Sequence, residues 1–530
     1  MIMTVMLVVS SFTTTTFAAE SGQDIRAAWI ATVFNIDFPS TKNDITAQKE
    51  EFISKIEQLQ AIGINTVVVQ VRPKADALYQ SAINPWSDVL TGTQGKDPGY
   101  DPMAFMIEAA HNRGMAFHAW LNPYRVTTSG TDINALSSSH PARNNPEWVM
   151  SYNNALYYNP EVAGVKKHIA DTVKEIVDNY DVDGIHFDDY FYPSNYPLPQ
   201  GEGKDGVAAN ARRNHVNEMV KQASEAIRSS NKNVMFGISP CGIWKNSTSD
   251  WTGSNTGGNQ GYYSVYADAR TWIKNEWIDY IVPQIYWETG HKLADYETLV
   301  KWWSNEVEGT GVKLYIGQGI YRDVVATQID TQLKINEKYS AVKGSFYYST
   351  RDLLNNRAGS KDKIKAYHAA TPLTAKLPLQ TGSGNTTQNA GKIGTVAANP
   401  LNIRSKAGTS YPIVTKASQG TKVTILNSQD GWYNIKLSNG QTGWASAAYI
   451  KTEAVTSKPH VAAAPPASTK VGTVTANPLN IRSGAGTSYA LMAKAPKGSR
   501  VTILGSSSGW YKIKLADGTI GWASGSYISF

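Results

Sequence analysis

Asp183-Gly-Ile-His-Phe-Asp-Asp-Tyr190 is an apolar run that ends in two adjacent carboxylates, with more aromatic rings directly behind it in Tyr190-Phe191-Tyr192. A short apolar stretch bounded by polar residues reads as a strand buried on both faces, the pattern of a parallel sheet. Taking that strand as 184–188, seven more of the same kind lie at 27–31, 66–71, 116–121, 234–239, 280–285, 314–317 and 344–348. Amphipathic segments with helical spacing fall between them at 50–61, 102–112, 165–180, 208–229, 266–275, 296–306 and 326–337, and a short helix at 361–368 closes the series. Eight strand–helix units in about 350 residues predict an α/β fold, a (β/α)8 TIM barrel. No glycine-rich dinucleotide fingerprint follows the first strand, which argues against an open doubly wound sheet.

The chain has 530 residues, more than this barrel needs. Residues 1–10 form an apolar core, and Thr16-Phe-Ala-Ala19 supplies small residues for cleavage, so 1–19 reads as an export signal. After it no apolar run is long enough to span a bilayer, and no membrane insertion is expected once the signal is removed. The single cysteine, Cys241, excludes an internal disulfide framework and a cysteine-based zinc site.

The C-terminal part repeats itself at an offset of 78. Val396-Ala-Ala-Asn-Pro-Leu-Asn-Ile-Arg-Ser405 returns as Val474-Thr-Ala-Asn-Pro-Leu-Asn-Ile-Arg-Ser483, and Gly443-Trp-Ala-Ser446 as Gly521-Trp-Ala-Ser524. With 35 identities in 55 positions, duplication is the only sensible reading. Short alternating strands separated by Gly, Asn and Asp turns describe a small β-barrel in each copy. Both copies resemble the bacterial SH3-like domain, with its Leu-Asn-Ile-Arg opening and Gly-Trp-Ala-Ser ending. That resemblance implies two small all-β modules that bind cell wall, commonly peptidoglycan or its peptides, without catalysis.

The resulting plan is a signal at 1–19, a barrel at 20–370, a linker at 371–392, a module at 393–451, an Ala/Pro-rich linker at 452–470 and a second module at 471–530. The net charge of +7 sits in the modules, since 396–450 carries +4 and 474–528 carries +5. An exported basic module has acidic wall polymers as natural partners, and no nucleic acid is expected.

Chemistry in such barrels gathers at the carboxyl ends of the strands. Here those ends read Gln70-Val-Arg72, His118-Ala-Trp-Leu-Asn-Pro-Tyr-Arg125, Asp188-Asp-Tyr190, Ser239-Pro-Cys-Gly-Ile-Trp244, Pro283-Gln-Ile-Tyr-Trp-Glu288 and Tyr347-Tyr-Ser-Thr-Arg351. Paired carboxylates beside ring faces suit cleavage of a sugar bond, with acids for protonation and charge stabilisation and rings to stack on pyranose faces.

Residues 26–370 resemble glycosyl-hydrolase-like family 10. The matching stretches are Gln70-Val-Arg-Pro73, Asn84-Pro-Trp-Ser87, His118-Ala-Trp-Leu-Asn-Pro-Tyr-Arg125, Asp183–Tyr190, Gly237-Ile-Ser-Pro240 and Pro283-Gln-Ile-Tyr-Trp287. The resemblance implies a glycoside hydrolase of exported bacterial proteins, secreted and wall-associated, that acts on peptidoglycan glycan strands, especially strands stripped of stem peptides. The stretch also resembles, distantly, the chitinase-type Asp-x-x-Asp-x-Asp-x-Glu pattern, but Tyr190 stands where its terminal acid would be.

Asp188 and Asp189 are the candidates for the charged half of the mechanism. A protonated acid is expected from Glu202, in the loop after strand four, or from Glu288, just past strand six. Arg72, Asn122 and Arg125 are candidates to hold hydroxyl, acetyl or carboxylate oxygens; Gln284, Tyr286 and Trp287 to line a subsite floor; and Tyr190 and Trp244 to stack. His118 is a further binding candidate, although a strand histidine is more often buried and hydrogen-bonded. No metal or cofactor is expected, because the nine histidines show neither His-x-x-x-His nor His-Glu-x-x-His spacing. The rival from another class is a non-catalytic protein that binds wall glycan.

Overall fold

Eight parallel strands close into a barrel in chain order: β1 (Ile25–Ile30), β2 (Thr66–Arg72), β3 (Ala116–Leu121), β4 (Gly184–Phe187), β5 (Met235–Ile238), β6 (Tyr280–Ile281), β7 (Lys313–Gln318) and β8 (Val342–Tyr347). The ring is sealed where Ile25 of β1 faces Gly344 of β8, while Ala27 faces Thr66 of β2 on the other side. The computed structural model describes residues 24–373, 393–452 and 471–529, apart from 231, 399, 406–412, 430–431, 483–485, 488–490, 508 and 516–518. The expected export signal, and all but residues 371–373 and 452 of the two expected linkers, lie outside the described residues.

Every residue of β2, β3 and β4 is buried, as the apolar runs demand. Alternate residues divide between two cores. Ala27, Trp29, Val68, Trp120, Tyr280, Tyr315 and Phe346 fill the barrel, while Ala28, Ile30, Val67 and Val69 face the surrounding helices. The barrel interior also carries a chain of polar rings. Trp29 Nε1 donates to His186 Nε2 (3.2 Å), so the His186 proton sits on Nδ1 and is donated to the Tyr280 hydroxyl (3.0 Å). That hydroxyl is left to donate to His118 Nδ1 (2.9 Å). Two glycines make room for these rings. A Cβ at Gly184 would meet the His118 ring at 2.7 Å, and one at Gly237 the Tyr280 ring at 2.0 Å.

Helices Ile45–Gln60, Pro102–His111, Ala163–Asn179, Val207–Arg228 and Tyr296–Val307 pack outside. The side chains of Asp44, Asp101 and Asp295 cap the first, second and last of these by accepting from backbone N–H groups.

Four local expectations are revised. Strand six stops at Ile281 instead of 285, because Pro283 offers no N–H to the ladder; only Gln284 rejoins it, bridging to Cys241 and Gly317. The segment at 266–275 is helical only over Ala269–Lys274, since Tyr266 is left-handed (φ 57°). The helix expected at 326–337 is two helices, Asp323–Thr327 and Ile329–Glu337, separated at Gln328. A hairpin not anticipated, Val149–Tyr152 with Ala155–Tyr158, turns on left-handed Asn153 and Asn154.

The two C-terminal modules are antiparallel sheets of seven strands each, matching the expected all-β folds. Their cores repeat at the offset seen in the sequence: Val396, Leu401, Ile403, Ile435 and Ile450 in one, Val474, Leu479, Ile481, Ile513 and Ile528 in the other.

Candidate active site

Strand β4 ends at Phe187, so Asp188 and Asp189 leave the ladder one residue early and project at the carboxyl mouth of the barrel. Asp188 is buried. Its Oδ2 accepts from Asn122 Nδ2 and Trp120 Nε1 (3.3 Å), and its Oδ1 accepts the Tyr190 backbone N–H (3.1 Å). Asn122 is itself held from three sides. Its Oδ1 accepts from Gln70 Nε2 and Arg125 Nη2, and its carbonyl accepts from Arg72 Nη1 (2.7 Å). Gln70 Oε1 in turn accepts the N–H groups of Thr32 and Val33, both at 2.9 Å. An unbroken line of amides therefore runs from the end of β1 across β2 and β3 to the carboxylate of β4.

Asp189 turns the other way and is half-buried. Its Oδ2 accepts the Cys241 thiol at 3.7 Å, and the Gln284 side chain supplies another hydrogen bond. Burial, then the neighbouring Asp189 charge, pushes Asp188 up to about 7 against the opposing pull of Arg125. Burial also raises Asp189. Each of two adjacent carboxyl groups makes the other harder to ionise, so the pair resists carrying two negative charges at once.

An aromatic wall adjoins the pair. Tyr286 and Tyr348 stack at 6.1 Å and 13°, and Tyr321 stands edge-on to both at 5.8 and 5.7 Å. Burial, Tyr348 and the Asp189 charge hold the Tyr286 phenol well above its ordinary value, which ties the wall to the carboxylates. Tyr190, 51 % exposed, carries the Arg125 guanidinium over its ring at 4.8 Å.

Asp188, Asp189, Asn122, Arg125, Tyr190, Gln284 and Tyr286 thus come together. Trp287 lies alongside, half-buried, against Gly242. Three expected ligand-facing residues are held under the open face instead. Arg72 is buried, its Nη1 donating to the carbonyls of Asn122 and Pro123. His118 is enclosed in the barrel, where burial lowers it to about 4 and keeps it neutral. Trp244 has the Trp302 ring stacked at 5.8 Å and the Arg270 guanidinium at 4.1 Å, leaving it 6 % exposed.

Neither candidate for a separate acid hydrogen-bonds to the pair. The Glu202 carboxylate folds back to Gly206, at the start of helix Val207–Arg228. Glu288 is half-buried, with an Oε2 that has no hydrogen-bond partner among the described residues, beside a shallow cavity lined by His291, Lys292 and Leu293.

Gln70, Trp120, Tyr321 and Tyr348 belong to the site without having been singled out for it. Gln70 and Tyr348 stand in the quoted strand ends, and Trp120 reads from the sequence as core. Tyr321 follows the end of β7, where position in the barrel was the available signal. No cluster of three or more His, Cys, Asp or Glu suited to a metal occurs among the described residues.

The model of the family Glycosyl hydrolase-like 10 matches residues 24–339, and that of the Bacterial SH3 domain matches 399–451 and 477–529. The chain is 45% identical over 385 residues to Glycosyl hydrolase YngK of Bacillus subtilis (strain 168), an alignment covering 68% of this chain and 75% of that protein. It is 38% identical over 341 residues to Glycosyl hydrolase DigH of Escherichia coli (strain K12), covering 60% and 78% respectively. Among solved structures it is similar to the PgaB (BpsB) glycoside hydrolase domain from Bordetella bronchiseptica, with 10% identity, a TM-score of 0.43, and coverage of 67% of this chain and 100% of that one.

Proposed function

The chain belongs to the glycosyl hydrolase-like 10 family, and from that premise we propose that it is an exported glycosidase cutting peptidoglycan glycan strands while its SH3 modules hold it on the cell wall. The observation that carries this reading is the Asp188–Asp189 pair, placed at the mouth of a closed barrel, shifted upward by burial and flanked by a tyrosine wall. The protonated member of the pair gives its proton to the glycosidic oxygen. The bond from that oxygen to the anomeric carbon breaks, and the electron pair leaves with the oxygen. The ionised member stabilises the oxocarbenium-like centre, either directly or by orienting a substrate N-acetyl group. Water then adds to the anomeric carbon, and its proton returns to the pair.

Three further features support the reading. Tyr190, Tyr286, Tyr321 and Tyr348 offer ring faces of the kind that pack on sugars. The apolar start of the chain, with small residues before Glu20, fits export. The basic charge of the modules suits an acidic wall. Incubating the protein with peptide-free glycan strands and scoring new reducing ends tests the proposal. Release by the wild type that disappears in Asp188→Asn and Asp189→Asn supports it. Strand binding with no release by the wild type would replace it with the non-catalytic alternative.

A further inference from the structure

The barrel domain exposes four large aromatic side chains among its described residues, Phe34, Tyr190, Trp251 and Tyr321, and all four follow the carboxyl end of a strand. Scattered surface hydrophobics are ordinary, and chance would spread them over the helices and the opposite face as well. The two most exposed, Phe34 at 72 % and Trp251 at 89 %, follow β1 and β5. In a closed ring of eight sequential strands those two are diametrically opposed, about 15 Å apart between strand axes. The carboxylates follow β4, which neighbours β5 in the ring and lies three strands from β1.

Neither ring is exposed for want of order around it. Phe34 adopts a left-handed conformation (φ 55°) followed by left-handed Asn35 (φ 51°), a backbone state that bulky residues avoid and that gathers at functional sites. The turn is held open by its neighbours. Thr32 and Val33 donate to Gln70, and Asn35 Nδ2 donates to the carbonyls of Pro39 (2.7 Å) and Val89 (3.0 Å). Through Gln70 and Asn122 this turn shares the amide line that fixes Asp188.

Trp251 is gripped on either side. Asp250 Oδ1 accepts from the Thr252 N–H and hydroxyl at 3.0 and 2.8 Å, and Lys245 pairs with Asp250 at 3.2 Å. The Thr252 carbonyl accepts from Arg270 at 3.1 Å and from the Trp302 indole at 2.9 Å. The backbone is pinned while the indole between these residues reaches solvent. Rigid presentation of an aromatic face to water lowers the ordering cost of binding and contributes no packing to the fold.

We infer that Phe34 and Trp251 are two outlying sugar platforms, so that the site takes an internal segment of a long glycan laid across the barrel mouth and cuts within the chain. The inference rests on the proposed glycosidase reading and adds to it the length and mode of the substrate.

The test compares full-length wild type, Phe34→Ala, Trp251→Ala and the double variant on long peptide-free glycan strands and on a disaccharide of the same sugars, which is too short to reach both platforms. Each single substitution is expected to lower the ratio of kcat/KM for long strands over disaccharide about tenfold, and the double about 100-fold, as separated sites add. Phe34→Tyr and Trp251→Phe should restore the ratio, which a folding defect would not allow. An unchanged ratio in both alanine variants, or restoration by neither aromatic replacement, overturns the inference. If the wild type releases no reducing ends from either substrate, the catalytic reading has failed by itself. Calorimetric titration of the same proteins with long strands then decides the platforms: binding weakened about tenfold by each alanine supports them, and unchanged binding removes them.

Discussion

Beneath the mouth of the barrel, Gln70, Arg72, Asn122 and Asp188 are all no more than 4 % exposed and are held by one another. The cores of the two SH3 modules, by contrast, bury only aliphatic side chains among their described residues. Burying polar groups costs free energy unless each finds a partner, and aliphatic packing carries no such condition. Under the barrel mouth a connected line of amides supplies partners to the buried Asp188 carboxyl and so holds it in an environment that changes its acidity. No charged side chain is buried in the modules among their described residues. Chemistry thus needs the costly kind of interior, whereas attachment does not.

The largest effect that would sharpen this contrast is on catalysis. Asp188→Asn should lower reducing-end release about 1000-fold while sedimentation with purified cell walls stays at the wild-type level, because the modules are untouched. Loss of both properties together would mean that the barrel, too, serves in attachment. Next comes the support of that carboxylate. Asn122→Ala leaves Asp188 chemically intact but unheld, and release should fall about 100-fold through misplacement. A variant within a factor of two of wild type would show that the amide line is mere packing.

Removing residues 390–530 reverses the experiment. Wall sedimentation should weaken at least about tenfold, since two linked binding modules are lost, while turnover of soluble oligosaccharides persists. A truncated barrel that is inactive on soluble substrate would break the division of labour.

The smallest effects are on stability. Burial holds Asp188 at about 7 in the folded chain, above the ordinary carboxylate value of about 3.9. Its stabilising contribution is therefore complete below about pH 4 and lost as pH rises through about 7. The amide introduced by Asp188→Asn sets a donor against the N–H groups that Asp188 accepts, a cost that does not vary with pH. By calorimetry, the difference in melting temperature should therefore move in favour of Asp188→Asn as pH rises from about 4 to about 8. His118 has the opposite sign. Its folded value of about 4 lies below the ordinary value of about 6.5, so its contribution is present above 6.5 and lost as pH falls through 4. The modules contain no histidine, so between pH 6.5 and 4 their unfolding should shift less than that of the barrel. Equal shifts in both would remove buried histidine as the cause.

Much of this was legible before any coordinates. Val67, Val68 and Val69 sit in a continuous apolar run because a barrel strand is covered on both faces, and that pattern survives in one dimension. Paired carboxylates after such a run also serve as caps, and Asp188 and Asp189 stand out because aromatic rings and polar residues gather at the other strand ends too. Other features were not legible. Tyr348 enters the wall only through its contacts with Tyr286 and Tyr321, which are far from it in the chain. Arg72 reads from the sequence as a cation at a strand end, yet the carbonyls of Asn122 and Pro123 enclose it. Glu202 and Glu288 are acids in the loops after β4 and β6, and the fold back of Glu202 to Gly206 is set by a loop whose path the sequence does not show.

The order of apolar runs, the duplicated module and the paired acids after β4 belong to the sequence, since solvent exposure and backbone hydrogen bonding act on each segment locally. The upward shift of Asp188, the confinement of Arg72, His118 and Trp244, and the exposure of Phe34 and Trp251 after opposed strands of the ring belong to the tertiary structure. Each depends on which distant groups end up within a few ångströms, and closing the ring of strands decides that.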